Sequence, residues 1–286
     1  MTLPSATLLA QSALSGLFVG ALYGLIGLGL GLSWGLLRTI NLAHFAFTFA
    51  AAYLCYQLVA STGIDPLLTL LAIAPLFFAL GVGLHWLVQR FDVSPLNSLL
   101  LTFGVTAIIE AAIQAIWSAD FRRLESHYAQ AKFKLGALFV PVPELITVVV
   151  ALTLSFGLWA LLKHTDLGKA LRAAAQDAPI AAAFGVDQRA LSLLLAGTCA
   201  ALAAVAGVCL SLSFTLAPSQ IYAWVGVVFA AVMMGGLGSA LGPLAAGIVI
   251  GVSEAITMAV TAPSWAPIVS FTLLIFILVL RPGKAA

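Results

Sequence analysis

The feature that most constrains this chain is a series of apolar stretches, most about 20 residues or longer, with few or no charged side chains. The first runs from near Leu8 to Leu37 without an Asp, Glu, Lys or Arg. A bilayer core about 30 Å thick takes a helix of about 20 apolar residues, which bonds its own backbone polar groups. Only 8% of the chain is charged, against about 25% in soluble domains. We therefore expect an all-α polytopic membrane protein.

Charged and turn-rich breaks divide the chain into eight or nine predicted spans within one transmembrane domain, residues 1–286. The last part, Ile221 to Leu280, is divided at Gly235–Pro243 and at Thr261–Ser264 into a short half-span, a span and a final span. The first six spans are predicted at Leu8–Leu37, Asn41–Ala60, Leu67–Val88, Leu96–Trp117, Leu145–Leu162 and Ala190–Phe214.

Two polar segments, at about 119–143 and about 163–189, are long enough to fold outside the lipid. Lys and Arg are enriched in cytoplasmic loops. A cytoplasmic C-terminus, carrying Arg281 and Lys284, puts eight basic residues inside and four outside. The sequence therefore predicts an external 119–143 loop, a cytoplasmic 163–189 loop and an external N-terminus.

Two acidic residues, Glu110 and Glu254, fall inside predicted spans. An ionisable residue within a membrane marks a functional site by default, although a bond to a neighbouring helix can also satisfy it. Both interpretations stay open for each residue. The three cysteines lie in apolar runs without metal-ligand spacing, which favours buried small residues, and we predict no metal site.

Glycines at four-residue spacing in the first span, Gly16, Gly20 and Gly24, form a small-xxx-small ladder that lets two helix backbones approach closely. This spacing indicates a helix packed inside protein. After this span, Asn41 is predicted to cap the helix that starts there. His44, one turn further, is either a structural histidine or a contact for a proton or solute.

The region Gly235–Pro243 contains four glycines and a proline, so it cannot continue a regular helix. Irregular backbone at membrane depth persists only where protein or a water-filled cavity covers it, and it often borders transport sites. This break and the one at Asn41 are compatible with an inverted repeat. We expect Gly236→Leu to abolish activity through a packing clash.

The segment Lys163–Asp187 is charged, alanine-rich and helix-forming. Gly168 precedes a helical stretch, Pro179 can open a second short helix, and Gly185 can end it. Two short amphipathic helices on the membrane surface would form a docking shelf for a soluble partner, and the alternative is a plain surface loop.

Three segments carry a resemblance to a known family. The run Gly168…Arg172-Ala-Ala-Ala-Gln-Asp177…Gly185-Val-Asp187 resembles the ATPase-coupling loop of ATP-binding-cassette permeases of the branched-chain amino-acid type. The run Ala21-Leu-Tyr-Gly-Leu-Ile-Gly, followed by Ile40-Asn-Leu-Ala-His44, resembles the N-terminal signature of that family. The run Gly235-Gly-Leu-Gly-Ser-Ala-Leu-Gly-Pro243, followed by Gly247 and Glu254, resembles its C-terminal signature.

The resemblance implies a permease subunit of an importer in a bacterial cytoplasmic membrane, with transport and not catalysis as its role. Its partners would be a second homologous permease subunit, two cytoplasmic ATP-binding subunits and an external solute-binding protein, with lipid around it and no nucleic acid. ATP and Mg²⁺ would sit on the ATPases, and no cofactor is expected in this chain. No Gly-x-x-x-x-Gly-Lys-[Ser/Thr] phosphate loop occurs in the sequence.

The solute implied is a branched-chain amino acid. The family usually continues its Asn-x-Ala-His run with glycine and often an acid, whereas Phe45 and Ala46 follow here. Some members of the family move urea or short amides. A related small polar solute of this kind therefore stays an alternative to a branched-chain amino acid. Predicted ATPase-coupling residues are Gly168, Arg172, Asp177 and Gly185, and predicted pathway residues are Asn41, His44, Gly235, Gly236, Gly238, Ser239 and Glu254.

Three other functions remain to be weighed. A stand-alone ion- or proton-coupled secondary transporter would need paired intramembrane acids or a His/Asp relay, but Glu110, Glu254 and His44 are widely separated in the chain. An intramembrane enzyme would need an aspartate pair, a metal-spaced cluster or a Ser/His couple in the spans. A scaffold subunit without a solute is the third.

Overall fold

The computed structural model describes residues 5–261 and 263–280 and consists almost entirely of helices. One antiparallel hairpin, β1 (Lys132–Leu135) and β2 (Leu138–Pro141), interrupts them. The helices are α1 (Ala6–Leu37), α2 (Ala43–Thr62), α3 (Leu70–Arg90), α4 (Pro95–Trp117), α5 (Val142–His164), α6 (Asp166–Gln176), α7 (Ala178–Ala183), α8 (Gln188–Ser213), α9 (Ala223–Gly235), α10 (Gly242–Val260) and α11 (Ala266–Leu280).

The prediction of eight or nine spans is confirmed. Within the described residues, eight helical segments are long and apolar enough to cross a membrane; one of them is α9 together with the turn before it, Pro218–Gly235. The ninth candidate, α11, has 15 residues. At 1.5 Å per residue it is about 22 Å long, shorter than a bilayer core of about 30 Å. The count therefore depends on how α11 meets the membrane.

Helix burial divides the bundle into a core and a rim. The most apolar windows of α1 and α8 are each 67% buried, whereas that of α4 is 17% buried. The core is built where α1, α2 and α8 pack together, and it includes the fully buried Tyr53, Phe45 and Leu25. The outward apolar faces of α3, α4 and α5 are left for lipid or for another subunit.

The two polar segments lie at opposite ends of the bundle, as predicted. Near the start of α1, the Gln11 side chain donates to the Phe139 carbonyl at 3.0 Å, next to the β hairpin. Just after α1 ends, the Arg38 guanidinium donates to the Ala175 carbonyl of α6 at 2.8 Å. Because α1 is 32 residues long, these two contacts are separated by the length of the bundle.

Helix ends differ from the predicted spans by a few residues, and most follow local capping chemistry. Ser94 and Asp187 cap α4 and α8 by accepting from backbone N–H groups three residues further on, at 3.3 and 3.0 Å. The predicted cap at Asn41 is wrong, because α2 begins at Ala43 and Leu42 occupies the cap position without a side-chain bond. Arg281 and Lys284, on which the predicted orientation partly depends, lie outside the described ranges.

The glycine ladder of α1 packs against α10, which confirms the predicted close approach. A Cβ added at Gly20 would lie 2.6 Å from the Ile248 Cα, and one added at Gly16 would lie 2.7 Å from the Val252 Cα. Gly247 and Gly251 supply the matching small residues on α10. The two helices therefore meet backbone to backbone, an approach that only residues without a side chain allow.

Candidate functional site

The segment between α5 and α8 folds as two short helices, α6 and α7, as predicted. The Thr165 hydroxyl caps α6 by accepting from the Gly168 N–H at 3.1 Å, and the Asp177 carboxylate caps α7 by accepting from the Ile180 N–H at 3.0 Å. Gly185 has φ +85° and follows the end of α7, as expected for a C-terminal glycine. Gly168 lies in the first turn of α6 and does not precede the helix, which corrects that detail.

One face of these helices packs against the bundle. Leu171 and Ala181 are buried, and a Cβ added at Gly168 would meet the Leu161 carbonyl oxygen at 2.5 Å. Arg38 supplies a further tie, because its guanidinium bonds a carbonyl in the last turn of α6. The segment is therefore fixed to the ends of α1 and α5.

The opposite face is open and carries both charged and apolar side chains. Arg172 is exposed, and Phe184 is 85% exposed directly after α7. The Lys169 ammonium bonds the Asp166 carboxylate at 2.9 Å, and this bond lowers the pKa of the Asp166 carboxyl. An exposed phenylalanine beside charged groups is typical of a surface that meets another protein.

Asn41 lies in the link between α1 and α2, at the same end of the bundle as the coupling segment. Its Oδ1 is buried and has no hydrogen-bond partner within the described part of the chain. A cavity of about 30 Å³ lies beside it, also lined by Ser98 and Thr102. That space holds about one water molecule. Thr102 also accepts from the Leu42 N–H at 3.1 Å and so fixes this link against α4.

His44 is buried in the interface between α1 and α2, with 2% of its surface exposed. Its Nε2 lies 2.9 Å from the Ile26 carbonyl oxygen. Gly29 makes room for the ring, because a Cβ there would lie 2.5 Å from the His44 Cε1. These contacts correspond to the structural role that the sequence left open, and a solute contact stays a prediction.

The predicted break at Gly235–Pro243 is a tight turn that joins α9 to α10 as a helical hairpin. It lies near the end of α1, because the Gly238 N–H donates to the Gly31 carbonyl at 3.0 Å. Ser239 Oγ accepts from the Gly242 N–H at 2.9 Å and closes the turn. The irregular backbone therefore connects two helices at the coupling end and does not interrupt one span.

The crowding predicted at Gly236 is not found at the Cβ position, although the need for glycine is real. A Cβ at Gly236 would meet nothing within 4 Å. Its φ of +89° is instead a conformation that only glycine adopts without strain. The crowded positions of this turn are Gly235 and Gly242, whose backbones face each other.

Glu254 lies toward the other end of α10, away from the turn and from Asn41. It is 7% exposed. Tyr23 donates to its Oε2 at 3.1 Å, and Ser270 bonds its Oε1. The carboxylate thus joins α1, α10 and α11, which is the structural alternative left open above. Glu110 accepts from Gln114 one helical turn further along α4, at 3.2 Å.

Comparison with known proteins supplies the decisive observation. Residues 12–278 match the family described as branched-chain amino acid transport system / permease component. The chain belongs to this family. Permease components of this kind are membrane-spanning subunits of transport systems, in agreement with the eight candidate spans. No solved structure matches the chain.

Curated relatives within this permease family match along most of their length. The chain is 27% identical to the high-affinity branched-chain amino acid transport system permease protein BraD of Pseudomonas aeruginosa, covering 95% of this chain and 94% of the relative. It is 25% identical to the corresponding LivH of Escherichia coli K12, covering 95% and 93%. It is 30% identical to a probable LivH of Methanocaldococcus jannaschii, covering 81% and 76%.

The structure brings some of the predicted residues together and separates others. The Asn41 link, the Gly235–Gly242 turn and the α6–α7 segment share one end of this permease, whereas Glu254 does not. Sequence reasoning missed Tyr23 and Ser270 as partners of Glu254. No periodic signal marks such pairs, since Tyr23 and Glu254 are 231 residues apart.

Proposed function

We propose that this chain is the permease subunit of an ATP-driven importer for branched-chain amino acids or a related small polar solute such as urea or a short amide. The family match supports the class of transporter. The observation that carries the ATP-driven part is the α6–α7 segment, which is fixed to the bundle on one face and open on the other, with Arg172 and Phe184 exposed.

The end of the bundle that carries α6 and α7 is assigned to the cytoplasm. Six of the basic residues in the described ranges lie at this end: Arg38, Arg90, Lys163, Lys169, Arg172 and Arg189. The opposite end has four, Arg122, Arg123, Lys132 and Lys134. The enrichment of Lys and Arg in cytoplasmic loops supports this orientation, which also makes the C-terminus cytoplasmic.

The partners follow from the same assignment: a second permease subunit, two ATP-binding subunits against α6 and α7, and a solute-binding protein at the opposite face. ATP and Mg²⁺ belong to the ATP-binding subunits, because this sequence has no phosphate-loop motif. The solute pathway is assigned to the Asn41 link and the glycine turn. Closure of the ATPases would displace α6 and α7 and, through Arg38, the end of α1.

Purification of the tagged full-length chain from its native membrane, followed by reconstitution in vesicles, tests this proposal. We expect two ATP-binding proteins and a second permease to copurify, and ATP-dependent uptake of labelled leucine, urea or acetamide. Arg172→Glu should abolish ATP-dependent uptake, whereas the matched reversal Lys163→Glu at the same end should retain it. Recovery of a homo-oligomer whose uptake follows an ion gradient would favour a secondary transporter.

A further inference from the structure

A cavity under the coupling helices is lined mainly by basic residues among its charged side chains. Its volume is about 680 Å³. Three arginines from different segments line it: Arg38 after α1, Arg90 at the end of α3 and Arg189 at the start of α8. Asp92 is the one acidic residue among the lining residues. Three arginines against one aspartate in the lining favour an anionic occupant.

The guanidinium groups are available for a ligand. All three arginines are exposed, and none forms an ion pair with any of the residues that the structure describes. Arg38 donates one N–H to the Ala175 carbonyl, and a guanidinium has five such donors. Paired N–H groups of arginine match the oxygen spacing of a phosphate.

The cavity wall beside these arginines is polar and preorganised. The Gln89 side chain of α3 donates to the Ser192 hydroxyl at 2.6 Å, and this bond joins α3 to α8. The same Gln89 nitrogen lies 3.2 Å from the His85 Nε2, one helical turn earlier in α3. The Gln89 Oε1 is buried and has no partner within the described ranges. The spacing of Arg90 and Arg189 is therefore set by two packed helices and not by a flexible loop.

The surroundings of the cavity distinguish a lipid from a soluble anion. The cavity lies where membrane-spanning helices end. Trp86 and Leu87 of α3 and Phe91 directly after it are exposed at 43%, 42% and 72%; they are neighbours in the chain of residues that line the cavity but do not line it themselves. Such an apolar surface suits acyl chains, while the basic cavity suits the headgroup. Basic pockets between helices at the cytoplasmic boundary are typical binding places for anionic lipid headgroups.

We infer that this cavity binds the phosphate group of an anionic phospholipid beneath the coupling helices. Arg90 and Arg189 hold the phosphate from two sides, and Arg38 links it to the last turn of α6. A bound headgroup thereby becomes part of the support of the coupling helices. Binding of lipid at this site can be measured without measuring solute transport.

The test measures lipid retained by the full-length chain purified with its partners in mild detergent. Native mass spectrometry would compare phosphatidylglycerol with phosphatidylcholine. Wild-type protein should retain phosphatidylglycerol selectively, and the pair Arg90→Gln and Arg189→Gln should bind it at least about tenfold more weakly, because two charge-assisted contacts are lost. The matched pair Lys163→Gln and Lys169→Gln removes the same charge at the same end but outside the cavity, and should retain wild-type selectivity.

Three results would overturn the inference. If both double variants lost phosphatidylglycerol binding equally, the lipid would be held by general attraction to a basic surface and not by this cavity. Equal occupancy by inorganic phosphate, without preference for phosphatidylglycerol, would make the ligand a free anion. Unchanged lipid retention with altered solute affinity would assign the cavity to the solute path. If the glutamine variants do not fold, Arg90→Lys with Arg189→Lys serves instead, and the loss of two-point phosphate contact should still lower selectivity.

Discussion

The seam between α1 and α10 provides the sharpest test of the architecture. Gly20→Ala would place a Cβ 2.6 Å from the Ile248 Cα, well inside an ordinary carbon contact of about 3.5–4.0 Å. The two helices must then separate by about 1 Å, which forfeits a quarter to a half of the attraction of the facing atoms. Overpacking of this kind typically costs about 1–3 kcal/mol.

Gly83→Ala in α3 is the matched control, because a Cβ there would meet nothing within 4 Å. Both substitutions gain the same helix preference of alanine over glycine, about 0.5–1 kcal/mol, so their difference isolates the packing cost. At about 2–4 °C per kcal/mol, Gly20→Ala should unfold about 2–12 °C below Gly83→Ala. Size-exclusion chromatography of heated, detergent-solubilised protein measures this difference.

Two outcomes would refute the packing argument. Equal midpoints for Gly20→Ala and Gly83→Ala would mean that the backbones of α1 and α10 do not meet as described. Rescue of Gly20→Ala by Ile248→Ala would also refute it, because the atoms nearest the added Cβ belong to the backbone and a shorter side chain leaves them in place.

Four further predictions concern the two ends of the bundle. Gly236→Ala and Gly236→Leu should impair transport to a similar extent, because the backbone strain of about 1–3 kcal/mol is common to both and a Cβ at this position would meet nothing within 4 Å. Arg172→Glu should remove stimulation of the ATPases while insertion remains normal, whereas Asp177→Ala should weaken α7 by about 0.5–2 kcal/mol through loss of its cap. At the opposite end, Tyr128→Phe should loosen the 119–143 segment, as measured by limited proteolysis, because Tyr128 donates to Asp65 at 2.5 Å. This bond raises the pKa of Tyr128, so its contribution is complete at neutral pH and is lost as the pH rises above the ordinary tyrosine value of about 10.

Lys163→Glu is the control for Arg172→Glu, and the other three predictions have tests of their own. If transport fell much further in Gly236→Leu than in Gly236→Ala, a packing clash and not backbone strain would be the cause. Asp177→Asn keeps an acceptor for the Ile180 N–H and should behave like wild type. If the protease cuts the Tyr128→Phe variant at the wild-type rate, the bond between Tyr128 and Asp65 does not hold the 119–143 segment in place.

The sequence predicts what depends on local composition. Apolar length located the spans to within a few residues, and Pro179 and Gly185 correctly placed the start and end of α7. The cap at Asn41 failed because the backbone bonds of His44 and Phe45 to the link already complete the first turn of α2. The hairpin at 132–141 also escaped prediction, since all four side chains of β1 are exposed and none alternates inward.

Contacts between helices that are distant in the chain were harder to predict from the sequence. The ladder in α1 predicts a close helix neighbour but does not say which one, because Gly81 and Gly197 also approach other helices closely. The same limit applies to the basic cavity. Arg38, Arg90 and Arg189 are separated in sequence, and only the fold brings them around one space.

The bond between Arg38 and α6 has a mechanical consequence. The first helix is 32 residues long, or about 48 Å, and its glycine seam holds it as a stiff rod against α10. A tilt of about 5° about one end of such a rod displaces the other end by about 4 Å. A push on the coupling helices that tilts α1 is therefore transmitted to the far side of the membrane, where α1 meets the β hairpin through Gln11.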